Sequence, residues 1–295
     1  MSHMEQEEHD ATNAYLSLSE TTDHDDPRWA FGTGFEDVEA EISAPITDRA
    51  DGADLAAYCQ MLGDDALIYS QRLAEWVANA PELEEEVALA NIALDLLGQA
   101  RVLLSRAGHI EGGDEDSLAF TRDQAGFRNI VLVEPSDELD FGRCVARLLI
   151  FSTWRIALLN RLQSSCDPVI AAVAGKGVKE LTYHRDYAAQ WLVRLGDGTP
   201  LSRSRMQEGL DAVWPYVGEL FRTHPLELVD AASLRPEFDA VVDQALAAAT
   251  LDLPTAGELA GVSGRTGRDG VHTEQMGFLL AELQSVARAM PDAKW

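Results

Sequence analysis

Apolar positions recur at spacings of three and four along most of the chain, so the pattern predicts helix after helix. Over residues 54–78 the stripe is Tyr58, Leu62, Ala66, Tyr69, Leu73 and Trp76. Pro81 opens a second helix, where its fixed backbone suits the first turn and Glu82, Glu84, Glu85 and Glu86 complement the dipole. That helix runs to about Ala107 and stops near Gly108. Its stripe of Leu89, Ile92, Leu96, Gln99 and Leu103 points inward. Residues 112–138 read as a loop-rich connection with one short helix at about 115–122. A third helix covers 139–164. Asp167-Pro168 caps a fourth, which runs to Leu195 and ends on Gly196-Asp197-Gly198. Further helices are expected at 202–221, 234–249 and 272–290. The only β-branched apolar run, at 129–133, is short. The expectation is all-α: a four-helix bundle with peripheral helices in one domain over residues 54–295.

Composition changes this picture only at the N-terminus. At 46% hydrophobic and 25% charged, the chain is ordinary for a globular protein. The formal net charge of −27 argues against nucleic acid and anionic membranes as general partners. Residues 1–54 hold 15 Asp+Glu and 2 Lys+Arg, a net of −13, which leaves −27 + 13 = −14 for the rest. Residues 1–53 therefore read as an acidic, disordered extension whose simplest role is solubilisation. No run approaches the apolar length of a membrane span, and the polar N-terminus lacks the apolar run of a signal peptide. Cys59, Cys144 and Cys166 show no paired metal spacing and read as reduced thiols. A cytoplasmic location is expected.

Residues 91–101 carry the candidate chemistry: Asn-Ile-Ala-Leu-Asp-Leu-Leu-Gly-Gln-Ala-Arg. Di-iron carboxylate bundles take a Glu from each of two helices and Glu-x-x-His from each of the other two, because buried, multiply charged cations must be neutralised and bridged. Here the frame of such a motif stands at Asp95, Leu97, Gly98 and Ala100, but Leu96 and Gln99 hold the ligand positions. On the fourth helix, Lys179-Glu180-Leu181-Thr182-Tyr183-His184 keeps the histidine and has Leu181 where the Glu belongs. Residues 141–166 contain no Asp or Glu, so the third helix has no acid to give. The first helix offers Asp65 and Glu75 as relics, or as partners for a buried Arg or Gln. The vestigial site is therefore Glu75, Asp95, Leu96, Gln99, Leu181 and His184. One histidine cannot hold a di-metal centre, and His184 reads as a core histidine bonded to a neighbour such as Gln99 or Glu75.

Two groups of arginines offer candidate anion or partner contacts. The third helix carries Arg143, Arg147, Arg155 and Arg161, and positions 143, 147 and 161 lie within about 40° on a helical wheel. Pairing with acids of neighbouring helices is the alternative. The loop Arg265-Thr-Gly-Arg268-Asp-Gly270 precedes the last helix, and glycine-rich backbone with two arginines can hold an anion; a plain surface loop is the alternative. Gly175 and Gly177 lie inside a helix, where close packing explains small residues.

Several blocks, in order and without large gaps over about residues 54–295, resemble the C subunits of the multicomponent 1,2-phenylacetyl-CoA epoxidases. They are Tyr69-Ser-Gln-Arg-Leu-Ala-Glu-Trp76, Pro81-Glu-Leu-Glu, Ala88 to Arg101, Gly113 to Asp123, Lys179-Glu to Tyr-His184, Gly270-Val-His-Thr-Glu-Gln-Met-Gly277 and the terminal Trp295. The resemblance implies a ferritin-like fold and a non-catalytic, structural subunit with no cofactor of its own. It implies pairing with an A subunit whose di-iron site activates dioxygen and epoxidises the ring of phenylacetyl-CoA. Electrons would come from NADPH through a reductase subunit with flavin and an iron–sulfur cluster, in aerobic phenylacetate catabolism. Contact with phenylacetyl-CoA would be indirect. Two other readings stay open: a metal-binding ferritin-like oxygenase with an atypical site of Glu75, Asp95, Glu180 and His184, or a helical binding or regulatory protein.

Overall fold

The structure, a computed structural model, describes residues 42–45, 52–259 and 261–291. The expected disordered extension falls almost wholly outside the described residues, as does Trp295. Helix α1 spans Gly52–Ala74, α2 Leu83–Glu111, the short α3 Glu115–Phe120, α4 Phe141–Leu162 and α5 Pro168–Gly196. They are followed by α6 Pro200–Val213, α7 Arg235–Ala248, α8 Glu274–Leu283 and α9 Ser285–Ala289.

Local chemistry sets the ends. α1 stops short of the expected residue 78, where Ala78 at φ 68° cannot continue a helix. α2 runs past Gly108 and ends at Gly112, whose φ of 83° suits a left-handed cap and whose N–H bonds the Gly108 carbonyl. Pro81 lies one residue before the N-cap, Glu82. α5 starts as expected: the Asp167 side chain accepts from the Ile170 N–H and Pro168 occupies the first turn. The helix expected over 202–221 is two pieces, because Pro215 has no N–H to donate and the chain tightens into a 3₁₀ segment at Trp214–Phe221. The last helix breaks at Gln284, whose Nε2 donates to the Ala119 and Arg122 carbonyls.

The apolar run at 129–133 forms no strand; it ends in a 3₁₀ turn at Val131–Val133. Its polar groups are taken by side chains. Ile130 N donates to Asp65, Val131 N to Glu219, and Asn129 Nδ2 to Glu134. No neighbouring strand is needed to satisfy them.

α1 and α2 pack antiparallel, with Gly63 against Leu104 and Ser70 Oγ donating to the Ala93 carbonyl at 2.7 Å. α4 and α5 do the same, with Phe141 edge-on to Trp191 at 5.0 Å and Leu159 against Gly177. Tyr69 and Phe151, 4.6 Å apart, join the two pairs. The four long helices thus form a bundle around one continuous apolar core, and α6 and α7 lie along the α4–α5 side. The inward stripe of α2 is as expected: Leu89, Ile92, Leu96, Gln99 and Leu103 are all buried. One correction concerns membranes. α2 is long and apolar enough to cross one by length and composition, with half of its apolar window buried. A core helix meets the same test, yet the exposed half of that window needs its own account.

Candidate functional site at the centre of the bundle

The four long helices bring Asp65, Leu96, Gln99, Arg155, Leu181 and His184 to the inside of the bundle, and all six are buried. Leu96 and Leu181, which the sequence reading sets at the Glu positions of a metal motif, pack as core leucines. Gln99, which the sequence reading sets at the ligand-histidine position, has both ends engaged. Its Oε1 accepts from Arg155 Nε at 3.2 Å, and its Nε2 donates to Glu180 Oε2 at 3.0 Å. Gly177 makes room for it: a Cβ there would meet Leu159 at 2.7 Å and Gln99 Nε2 at 3.2 Å. The small residue at 177 is thus explained by packing, whereas a Cβ at Gly175 would meet open space.

From Gln99 a line of alternating charge crosses the bundle. Arg155 Nη2 donates to the Leu62 carbonyl at 3.0 Å, and its Nη1 lies 3.6 Å from Asp65. Asp65 is bound bidentately by Arg268, at 2.8 and 2.9 Å, and also accepts from Ile130 N at 2.8 Å. Glu227 lies 3.3 Å from the other side of Arg268. At the opposite end, Glu180 pairs with Lys176 at the surface, at 3.3 Å. Each buried charge thus faces its opposite, which burial demands. Burial lowers the Arg155 pKa to about 10, against the pull of Asp65, so the guanidinium remains charged at neutral pH. Burial also works against Arg268, but Asp65, Glu227 and Glu219 together outweigh it and hold its pKa above the usual value.

His184 Nε2 bonds Asp95 Oδ2 at 3.0 Å, and Nδ1 is buried with no hydrogen-bond partner. The partner expected from sequence was Gln99 or Glu75; it is Asp95, whose side chain is 41% exposed. In metal sites the ligand histidine typically gives its outer nitrogen to a carboxylate, which fixes the ring. That outer contact is present here, while the positions that would complete the inner set are leucine and glutamine.

This donor set does not fit a pair of hard cations. Two ligand positions are aliphatic, a guanidinium contacts the third, and Asp65 and Glu180 are already bound by cations of the chain itself. Among the described residues, the one group of acids close enough to share an ion is Glu82, Glu84 and Glu85. It sits at the exposed start of α2, where the helix dipole accounts for it.

The remaining candidates lie elsewhere. Glu75 pairs with Arg72, and burial raises its pKa. It is not part of the His184 group. The arginines of α4 form no free stripe: Arg143 pairs with Glu138 at 3.0 Å, Arg147 with Asp137 at 2.8 Å, and Arg161 with Glu237. Arg268 is buried on Asp65, whereas Arg265 is exposed and donates to the Asp269 carbonyl at 2.9 Å, so the inner half of the loop before α8 braces the bundle and its outer half lies at the surface.

Sequence reading missed three participants. Arg155 stood outside the wheel alignment of the other arginines, although a charged residue amid apolar neighbours on an acid-free helix must find its acid on another element. Glu134 accepts from Asn129, from Thr273 N and Oγ1, and pairs with His272 at 2.6 Å. Glu219 accepts from Val131 N and Gly267 N at 2.7 and 2.8 Å; burial raises its pKa to about 7. Nothing in the local pattern of 134 or 219 marks a buried acid.

Comparison with known proteins gives two matches. A family model described as phenylacetic acid catabolic protein matches residues 40–295. The C subunit of the 1,2-phenylacetyl-CoA epoxidase of Escherichia coli (strain K12) is 43% identical over 250 residues, which cover 82% of this chain and 99% of that protein.

Proposed function

The chain belongs to the phenylacetic acid catabolic protein family, and we propose that it is the non-catalytic, structural subunit of a phenylacetyl-CoA ring 1,2-epoxidase complex, pairing with and supporting a di-iron A subunit. A role in phenylacetate catabolism follows from the similarity to the Escherichia coli protein. The observation that carries the finer reading is Arg155. Its guanidinium reaches the ligand-histidine position on α2 and the carboxylate of α1, so the chain supplies internally the positive charge that a metal pair would bring. Leu96 and Leu181 complete the argument, since unpaired acids there would cost several kcal/mol each, of order ~3–5, without a cation. On this reading the chain has no cofactor of its own, works in the cytoplasm, and meets phenylacetyl-CoA only through its partners. The di-iron site and the NADPH-linked reductase reside on other subunits.

The full-length chain, expressed with iron in excess, should contain substoichiometric iron and show no oxygen-dependent turnover of phenylacetyl-CoA. It should co-purify with the A subunit of its own organism. Stoichiometric iron together with turnover by the chain alone would sink the proposal. The reading as an atypical oxygenase draws on the free Nδ1 of His184. Metal content that drops in a His184→Ala variant would favour it; unchanged content is expected.

A further inference from the structure

His272 stands at the entry to α8, and its ring is buried against the loop over residues 127–134. Nδ1 lies 2.6 Å from Glu134 Oε1, and Nε2 lies 3.0 Å from the Phe127 carbonyl oxygen. Glu134 already takes three donors. Asn129 Nδ2 reaches Oε1 at 2.9 Å, and the N–H and hydroxyl of Thr273 reach Oε2 at 2.7 and 2.8 Å. A carboxylate so supplied is an acceptor, and a carbonyl oxygen can only accept. Both ring nitrogens therefore donate, and only the imidazolium carries two N–H groups. A neutral ring has one, so it leaves either Glu134 or the Phe127 carbonyl facing a lone pair in a buried place.

We infer that His272, Glu134 and Thr273 form a pH-sensitive latch, closed by the imidazolium, that holds the stretch from Gly270 through the start of α8 on the bundle. Apolar burial alone holds that stretch weakly: α8 buries Met276, Leu279 and Leu280, Phe278 is 66% exposed, and no residue of α9 is buried. Gln275 accepts from Ser136 N and from Arg72 Nη2, and Gln284 ties the far end to the Ala119 and Arg122 carbonyls. None of these contacts titrates near neutrality. The same loop carries Arg268 to Asp65, so the latch also steadies the charge balance of the bundle centre. Other charged groups stand around it. Asp64 of α1 is held by Arg122 and by the Arg128 N–H, Arg72 of α1 donates to the Glu134 carbonyl, and Glu219 of the 3₁₀ segment feels the charge of Glu134. Burial disfavours charge on His272, but Glu134, the Phe127 carbonyl and Asp64 outweigh it and hold its pKa above the usual value. The stabilisation is therefore complete below the unfolded histidine value and is lost as pH rises through the raised folded value.

The test is a pair of measurements on the full-length chain between pH 5 and 9. In the first, the ring protons of His272 are followed by NMR and assigned by their loss in His272→Gln. They should titrate above the ordinary histidine value; titration at or below that value overturns the latch. In the second, amide hydrogen exchange is read by mass spectrometry and divided by intrinsic rates. Protection over residues 270–283 should fall at least about tenfold relative to α4 between pH 6 and pH 9. His272→Gln keeps one side-chain donor and cannot become charged, so it should abolish that pH dependence. The same dependence in wild type and variant would overturn the inference; should the variant fail to fold, the wild-type exchange profile decides. Glu219→Gln removes the other group that titrates near neutrality and should leave the effect in place. Loss of the effect there would assign it to Glu219, which also overturns the latch.

Discussion

α2 buries an amide in contact with a guanidinium and exposes four large aliphatic side chains. The inner face carries Gln99 between Leu96 and Leu103, bridging Arg155 and Glu180; the outer face carries Leu83, Val87, Leu94 and Leu97. The inner stripe is otherwise aliphatic, so what marks α2 is one buried amide on the inside and a row of exposed aliphatic side chains on the outside. Each face follows from a different constraint. Inside, the centre of the bundle keeps its charge balance through Arg268, Asp65, Arg155 and Glu180, with Leu96 and Leu181 packed beside them. Outside, an apolar seam lowers its free energy only when something covers it. The contrast teaches that burial in this chain cannot be read from hydrophobicity alone: the inner face accepts polar groups because they are paired, while the outer one leaves large aliphatic side chains exposed.

The comparison breaks first at Asp65. Asp65→Ala leaves Arg155 and Arg268 buried without their shared carboxylate and should destabilise the chain by about 3–5 kcal/mol in denaturant titration. A loss below about 1 kcal/mol would mean that the central charges are not held as the geometry indicates. His184→Ala removes a buried ring but only one partly exposed hydrogen-bond partner; a loss of about 2 kcal/mol is expected by the same titration.

Glu219 sharpens the contrast because burial outweighs the pull of Arg268 and of its two backbone donors. Its folded pKa, raised by burial to about 7, lies above the unfolded carboxylate value. Between those values the folded state binds more protons than the unfolded state, so this group's contribution to stability is greatest at low pH and is lost as pH rises toward 7. Stability measured from pH 5 to 8 should fall by roughly 1–3 kcal/mol through this group, and Glu219→Gln should flatten that slope. A slope unchanged in the variant would assign the effect to other groups. The smallest effect is expected on the outer face. Leu94→Glu should change the stability of the isolated chain by less than about 0.5 kcal/mol, since the side chain already meets water. A larger loss would show that the seam packs within the chain.

Much of the fold is legible in sequence. The stripe from Leu89 to Leu103, the Asp167-Pro168 start of α5 and the acid-free stretch over 141–166 each rest on neighbours within one or two turns, where helical geometry alone decides. The weak strand signal at 129–133 and the single helix at 202–221 fail for identifiable reasons. Side chains of Asp65, Glu134 and Glu219 satisfy the polar groups of the first, and Pro215 interrupts the second. The candidate site was half legible. The inward placement of Leu96, Gln99, Leu181 and His184 followed from the spacing of a motif. The pairing of His184 with Asp95, and every role of Arg155 and Arg268, were not.

The sequence by itself determined which positions of the long helices face inward, because a 3.6-residue period fixes faces from local spacing. It also determined the family, through blocks of residues in order. Only the tertiary structure decided where the charges go. Arg268 meets Asp65 across 203 positions of chain, and Arg155 meets Gln99 across 56. Such contacts depend on how helices are stacked and on which loops fold back over them, and no periodicity along the chain encodes a distance between helices.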